Sequence, residues 1–174
     1  MGKKILVLSL LLIFSANLYA VDGYKGLKFG MTLKAALQTK ICSLREYKDV
    51  DMYGFITDVK RYKAFICKDL VFAQRRIELN AYFIDGLLHR VLISPSYSYP
   101  FHKILLEDLK RKYGFEEFNE VEEETNTSYT FQDKTVWAII YGPPVNHMHI
   151  RYTSPQYERL LVEDPKKGKL RDDI

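Results

Sequence analysis

The fold is decided by the stretch Ile77-Glu78-Leu79-Asn80-Ala81-Tyr82-Phe83-Ile84-Asp85-Gly86-Leu87-Leu88-His89-Arg90-Val91-Leu92-Ile93. Its first part alternates between two sets of residues, which is the period-two pattern of a half-buried strand. One set consists of Ile77, Leu79, Ala81 and Phe83, and the other of Glu78, Asn80, Tyr82 and Ile84. Asp85-Gly86 is a two-residue turn signal that needs positive φ, so the stretch predicts an antiparallel hairpin.

Helices are predicted on both sides of this hairpin. Before it, Thr32 is placed to cap a helix over residues 33–40. After it, Pro100 opens a helix that runs to Tyr113, and Gly114 suits the position just past its end. Apolar residues recur at four-residue spacing along this second helix, so one of its faces is expected to be buried.

Further strands are predicted around these elements. They are expected near Tyr62–Ile66, at Tyr129–Phe131, at Thr135–Tyr141 and at His147–Tyr152. Ser154-Pro155 then starts a short helical piece that ends at about residue 162.

The order of elements predicts an α+β fold made of two tandem repeats, each a helix followed by antiparallel strands. The helices would pack on one face of an antiparallel sheet, because the short hairpin turns exclude parallel pairing. We expect halves at about 24–93 and 100–162 within a single domain, residues 21–164. Residues 165–174 read as a flexible charged tail.

The amino terminus has the three zones of a secretory signal peptide. Lys3 and Lys4 precede an apolar run, Ile5–Phe14, and small residues up to Ala20 follow it. The apolar run is shorter than the roughly 20 residues that span a bilayer. No cysteine follows the apolar run, so a lipid-modified amino terminus is not expected. We expect cleavage near Ala20, a periplasmic or secreted product and no stable membrane anchor. The alternative is an uncleaved amphipathic segment or membrane anchor.

Removal of residues 1–20 would lower the net charge from +4 to +2, because Lys3 and Lys4 leave and no acid does. A charge this small argues against nucleic acid as a partner. Because an exported chain folds in an oxidising compartment, its only two cysteines, Cys42 and Cys67, are expected to form a disulfide. The alternative is a pair of buried free thiols.

Three segments carry a resemblance to a known family. They are Gly26-Leu27-Lys28-Phe29-Gly30-Met31-Thr32, Leu109-Lys110-Arg111-Lys112-Tyr113-Gly114, and Ile150-Arg151-Tyr152-Thr153-Ser154 preceded by Trp137. Together they resemble small periplasmic proteins built as tandem helix–sheet repeats, such as β-lactamase inhibitory protein and its relatives. The resemblance implies a binder or inhibitor, and no functional residue is carried over from it.

His147-x-His149 is the candidate metal site. Alternate residues of a strand point to one face, so both imidazoles could reach one ion. A third ligand would have to come from His89, His102 or a carboxylate. The alternative is that both histidines are ordinary polar positions facing solvent.

Two segments are candidates for recognition. The first is the Tyr- and Ser-rich stretch Ser94–Phe101, with Tyr97, Tyr99 and Phe101 as contact residues. The second is the basic group Lys60, Arg61 and Lys63, which could meet an acidic protein, an anionic polymer or lipid headgroups. Each could instead be structural: the tyrosines as cover for the core, and the basic residues as a solvated sheet face.

Two other features leave alternatives open. Trp137 and Tyr141 could extend the Tyr-rich surface together with Tyr152, or Trp137 could belong to the core. The acidic run over residues 116–124 is typical of a solvated edge or loop, or of a surface that steers a basic partner.

The sequence contains no Gly-x-Ser-x-Gly, His-Glu-x-x-His or glycine-rich phosphate loop. We therefore expect a non-enzymatic exported binding module without a cofactor, such as an inhibitor or immunity protein, whose partner is another envelope or secreted protein. One alternative is a metal-assisted hydrolase using His147 and His149. Another is a scaffold component for envelope assembly. Oligomeric state is left open by the sequence.

Overall fold

The computed structural model describes residues 21–47, 61–72, 74–95, 99–114, 117–121, 126–131, 134–142 and 147–162. The predicted signal peptide and the predicted tail lie outside these residues. In chain order the described elements are β1 (Gly23–Tyr24), β2 (Leu27–Lys28), α1 (Leu33–Gln38), β3 (Arg45–Tyr47), β4 (Tyr62–Phe72), β5 (Arg75–Ile84), β6 (Leu87–Ser94), α2 (Tyr99–Tyr113), β7 (Glu117–Val121), β8 (Asn126–Phe131), β9 (Val136–Tyr141), β10 (His147–Thr153) and α3 (Tyr157–Val162).

Eight of these strands form one antiparallel sheet in the order β3-β4-β5-β6-β10-β9-β8-β7. The predicted hairpin lies within it as β5 and β6. At its turn Asp85 has φ 50° and Gly86 has φ 81°, as a two-residue loop with two positive φ angles requires. Strands β6 and β10 pair in the middle, with Ile93 opposite Ile150. β1 and β2 form a separate two-stranded ribbon.

The main core lies on one face of the large sheet. Its deeply buried strand residues include Leu79, Phe83, Val91, Ile93, Phe131, Ala138, Met148 and Ile150. Ala36 of α1 and Leu105, Leu106 and Leu109 of α2 pack against the same cluster. The Thr32 hydroxyl accepts a hydrogen bond from the backbone N–H of Ala35 at 3.3 Å, which confirms the predicted cap of α1.

The predicted α+β fold of two helix-plus-strand repeats is wrong, because the described chain is mostly β-sheet. α1 and α3 span six residues each, so α2 is the one longer helix in the described ranges. Strands β3 and β7 were not among the predicted strands. They form the two edges of the sheet, where pairing with a neighbour rather than local pattern determines the structure.

Cys42 and Cys67 are joined in a disulfide, as predicted, with their Cα atoms 6.1 Å apart. The bond ties the segment after α1 to the middle of β4. Nearby, Ser43 donates to the Asp69 carboxylate from its backbone N–H at 2.9 Å and from its hydroxyl at 2.7 Å. Among the described helices, none combines the length and apolar character needed to cross a membrane.

Candidate binding face

The large sheet has a second face, on the side away from the main core. Strand alternation and register place on it Arg45, Tyr47, Ala64, Ile66, Arg76, Glu78, Asn80, Tyr82, Arg90, Leu92, Ser94, Trp137, Ile139, Tyr141, His147, His149 and Arg151. Among the described helices, only α3 packs on this face. Its Tyr157 and Leu160 contact Tyr62 and Ile84 there. We call this side of the sheet the second face.

Two arginines of the second face lie over aromatic rings. The guanidinium carbon of Arg151 is 4.2 Å from the centroid of the Trp137 ring on the neighbouring strand. That of Arg90 is 4.9 Å from the Tyr82 ring, and Arg90 also donates to the Tyr157 hydroxyl at 3.1 Å. These contacts hold half-buried cations in fixed positions, because the ring quadrupole attracts the guanidinium.

A histidine pair lies beside these arginines. The rings of His147 and His149 are 4.4 Å apart and nearly perpendicular, and Tyr141 contacts the His149 ring edge to face at 5.5 Å. Nδ1 of His149 lies 2.8 Å from the Ser94 hydroxyl oxygen. Burial lowers the pKa of His149 to about 4, with further contributions from His147 and Arg90. At neutral pH this imidazole is therefore uncharged.

The structure brings His147 and His149 together on one face, as their spacing predicted. Among the described His, Cys, Asp and Glu side chains, one group alone places three candidate ligand atoms within 4.8 Å of one another. That group contains neither histidine, so no third ligand of this kind joins His147 and His149 there. That group is Cys42, Cys67 and Asp69, and its sulfur atoms are used in the disulfide. His89 instead contacts the Ser154 hydroxyl at 2.8 Å. The metal site stays a prediction.

The aromatic residues proposed for recognition are dispersed. Tyr97 lies outside the described residues, and Tyr99 is the first residue of α2. Phe101 is half-buried against the main core. Trp137 and Tyr141 are on the second face, whereas Tyr152 is in the core with 3% of its surface exposed.

Of the basic residues proposed for recognition, the structure describes Arg61 and Lys63. Lys60 lies outside the described residues, and Lys63 is exposed on β4. The Arg61 guanidinium donates two hydrogen bonds to the Asp85 carboxylate, at 3.0 and 2.7 Å, and so stabilises the β5–β6 turn. The hydrogen bond from Arg61 lowers the pKa of Asp85. Arg61 therefore has a structural partner at the turn.

Arg90 and Arg151 were not singled out by the sequence reading. The sequence did contain a signal for the aromatic part of the second face. Alternation places Trp137, Ile139 and Tyr141 on one side of β9 and Val136, Ala138 and Ile140 on the other. Which side of β9 faces the core depends on where the helices pack. That is decided by contacts far apart in sequence.

Comparison with known proteins places the chain in a family. A family described as "Uncharacterised protein" matches residues 24–173, and the chain belongs to it. No curated protein matches the chain. No solved structure matches it either.

Proposed function

We propose that the protein is an exported, non-enzymatic binding module whose second face holds an acidic surface of another envelope or secreted protein, as an inhibitor or immunity protein does. The observation that carries this is the half-exposed pair formed by Arg151 over Trp137. Arg90 lies beside it over the buried Tyr82 ring. Trp, Tyr and Arg are the residues that most often dominate binding energy at protein interfaces.

The arrangement suits binding because its side chains are already ordered. The indole N–H of Trp137 donates to the Lys134 carbonyl oxygen at 2.6 Å, and Arg90 is fixed by Tyr157. An interface built from such side chains loses less rotamer entropy on association than one built from mobile chains. The partner would therefore meet a preformed surface.

Charge selects the kind of partner. Among the residues of β3, β4, β5, β6 and β10 that strand pairing places on the second face, four are arginines and one is an acid, Glu78. The arginines are Arg45, Arg76, Arg90 and Arg151. An acidic protein surface would be attracted to this face and oriented on it, since complementary potentials increase association rates and fix register.

Export is part of the proposal and is supported by two features. The residues Met1–Ala20 follow the order of a signal peptide. The disulfide between Cys42 and Cys67 is typical of proteins that fold in an oxidising compartment. Both features point to the periplasm or the exterior of the cell as the place where a partner is met.

The test uses site-specific photocrosslinking in the intact protein, expressed in its own envelope. A benzophenone side chain at Ile139, on the second face, is compared with one at Ile104, which is 60% exposed on α2. We expect one acidic protein to crosslink at position 139 and not at 104. Equal crosslinking at both positions, or none at 139, would overturn the proposal.

Affinity for the crosslinked partner is then measured with charge-reversal variants. Arg151→Glu is expected to weaken binding by about 100-fold or more, because it removes an anchor and repels the acidic partner. Arg111→Glu is the matched control, since Arg111 is 81% exposed on α2. If both variants bind as the parent protein does, the second face is not the interface. A partner with several subunits would indicate the scaffold role.

A further inference from the structure

On the opposite side of the sheet from the second face, a cavity of about 300 Å³ lies between β1, the end of β4, α2 and β10. This volume is at the lower end of the range for small-molecule sites, about 300–1,000 Å³. Its apolar wall is formed by Phe72, Leu105, Leu109 and Ile150. Three tyrosines, Tyr24, Tyr113 and Tyr152, form the remaining aromatic wall.

The tyrosine wall has one polar group that finds no partner in the described part of the chain. The rings of Tyr24 and Tyr152 are 5.0 Å apart, and those of Tyr113 and Tyr152 are 6.2 Å apart. Tyr113 and Tyr152 share a hydrogen bond, whereas the buried Tyr24 hydroxyl has no hydrogen-bond partner among the residues that the structure describes. Burial raises the pKa of Tyr24, so its oxygen keeps its proton and remains a donor. Such a group is costly to leave unsatisfied.

Two lysine ammonium groups, those of Lys25 and Lys112, lie at this cavity. Lys25 Nζ is 5.9 Å from the rings of both Tyr24 and Phe72, and it donates to the Val71 carbonyl oxygen at 2.9 Å. Lys112 Nζ is 4.8 Å from the Tyr113 ring. A lysine ammonium has three donors, so Lys25 retains two for another acceptor.

The one acid of the cavity lining, Asp108, does not cancel this charge. Its carboxylate is paired with Arg111 at 2.7 Å. The lining therefore combines an apolar wall, two cationic groups and one unsatisfied hydroxyl donor. This combination fits a molecule with an apolar body and an anionic head.

We propose that this cavity binds a small single-chain amphiphile with a carboxylate head, with the acyl chain against Leu105 and Leu109 and the head at Lys25 and Lys112. The half-buried Tyr113 ring moves aside in the bound state, so that a carboxylate oxygen reaches the Tyr24 hydroxyl. The site is on the face away from the proposed protein interface, so the two proposals stand or fall separately.

The probe is sodium decanoate below its micelle concentration, titrated into the intact disulfide-bonded protein and followed by calorimetry and amide NMR. We expect a Kd below about 1 mM, with the amide shifts centred on Leu105, Leu109 and Ile150. Decanol tests the need for the anionic head and decyltrimethylammonium tests its sign. Both are expected to bind more weakly, and equal binding of the cation would overturn the proposal.

Variants test the assigned groups. The double variant Lys25→Gln/Lys112→Gln is expected to weaken decanoate binding about tenfold, which corresponds to 1.4 kcal/mol. Tyr24→Phe is expected to weaken it about threefold while leaving the melting temperature unchanged or higher, since it removes an unsatisfied buried hydroxyl. Lys103→Gln, an exposed lysine of α2, is the control and should change affinity by less than about twofold.

Three further results would each overturn the proposal. The first is the absence of decanoate binding to a folded protein. The second is unchanged affinity in the Lys25→Gln/Lys112→Gln variant. The third is amide shifts that lie on the second face instead of around the cavity. Tyr24→Phe keeps the test informative if the double variant is unstable, because it changes no charge and keeps the ring.

Discussion

The guanidinium of Arg151 lies over the ring of Trp137, 4.2 Å from its centroid, and the two residues are direct neighbours across the β9–β10 pairing. Trp137 is the single tryptophan of the chain. Its fluorescence therefore reports on the second face alone. Any event on that face, including the arrival of a partner, can be followed without a label.

Arg151→Ala should expose more of the Trp137 ring and shift its emission to longer wavelength. The loss of the cation–π contact should also lower the free energy of unfolding by about 0.5–1 kcal/mol. Fluorescence spectra and denaturant titration measure the two effects. Arg76→Ala, an exposed arginine of the same face, is the control and should leave the emission unchanged. An unaltered spectrum in Arg151→Ala would contradict the assigned contact.

Replacing Cys42 with serine should lower the melting temperature in non-reducing buffer. The disulfide closes a loop with a sequence separation of 25, and in the chain-entropy model a loop of this size contributes about 3 kcal/mol. Scanning calorimetry of Cys42→Ser/Cys67→Ser avoids the leftover thiol and should give the same loss. Parent protein treated with a reductant provides a second comparison. If reduction leaves the melting temperature unchanged, the bond has no stabilising role.

Acid should destabilise the protein through His149. Its pKa is about 4 in the folded state against a reference value of 6.5, so between these values the unfolded chain binds more protons. The contribution of neutral His149 to the free energy of unfolding is complete above pH 6.5 and is lost as the pH falls towards 4. After allowance for its partial exposure we expect about 1–2 kcal/mol.

The measurement is urea unfolding of the parent and of His149→Gln from pH 7.5 to pH 4. Burial also lowers the pKa of His89 and of His102, so the parent should lose stability through several groups. The difference in unfolding free energy between the two proteins isolates the effect of His149. This difference should become smaller as the pH falls. Parallel curves would show that His149 does not titrate differently on unfolding.

Gly86→Ala should destabilise the β5–β6 hairpin. Gly86 has φ 81° and open space where a Cβ would stand, so the cost comes from backbone conformation rather than from a clash. A residue with a Cβ in this region costs about 1–2 kcal/mol. Gly86→Asn should cost less, because asparagine tolerates positive φ. Thermal unfolding of the two variants makes the comparison, and equal losses would point to another cause.

Several parts of the fold were predictable because they depend on residues close in sequence. The hairpin follows from alternation over residues 77–93 and from the conformational demands of Asp85-Gly86. The cap of α1 follows from Thr32, whose hydroxyl reaches a backbone N–H three residues away. The disulfide follows from a cysteine pair in a chain with an export pattern.

The proposed sites were less predictable, because each one joins residues from distant segments. Arg90 contacts Tyr157, which is 67 residues away. The cavity brings Tyr24 beside Tyr152. Nothing in the local pattern around either residue indicates its neighbour, so sequence reading favoured clusters that are contiguous in the chain, such as Lys60, Arg61 and Lys63.

The sequence by itself determined the strands of the central hairpin, the starts of the helices and the cysteines available for pairing, because these depend on local backbone preferences and composition. Only the tertiary structure decided that β6 pairs with β10, that β3 and β7 close the edges of one sheet, and which face is covered. The reason is physical: alternation makes a strand two-sided, and the side that is buried depends on helices and strands that pack against it from elsewhere in the chain.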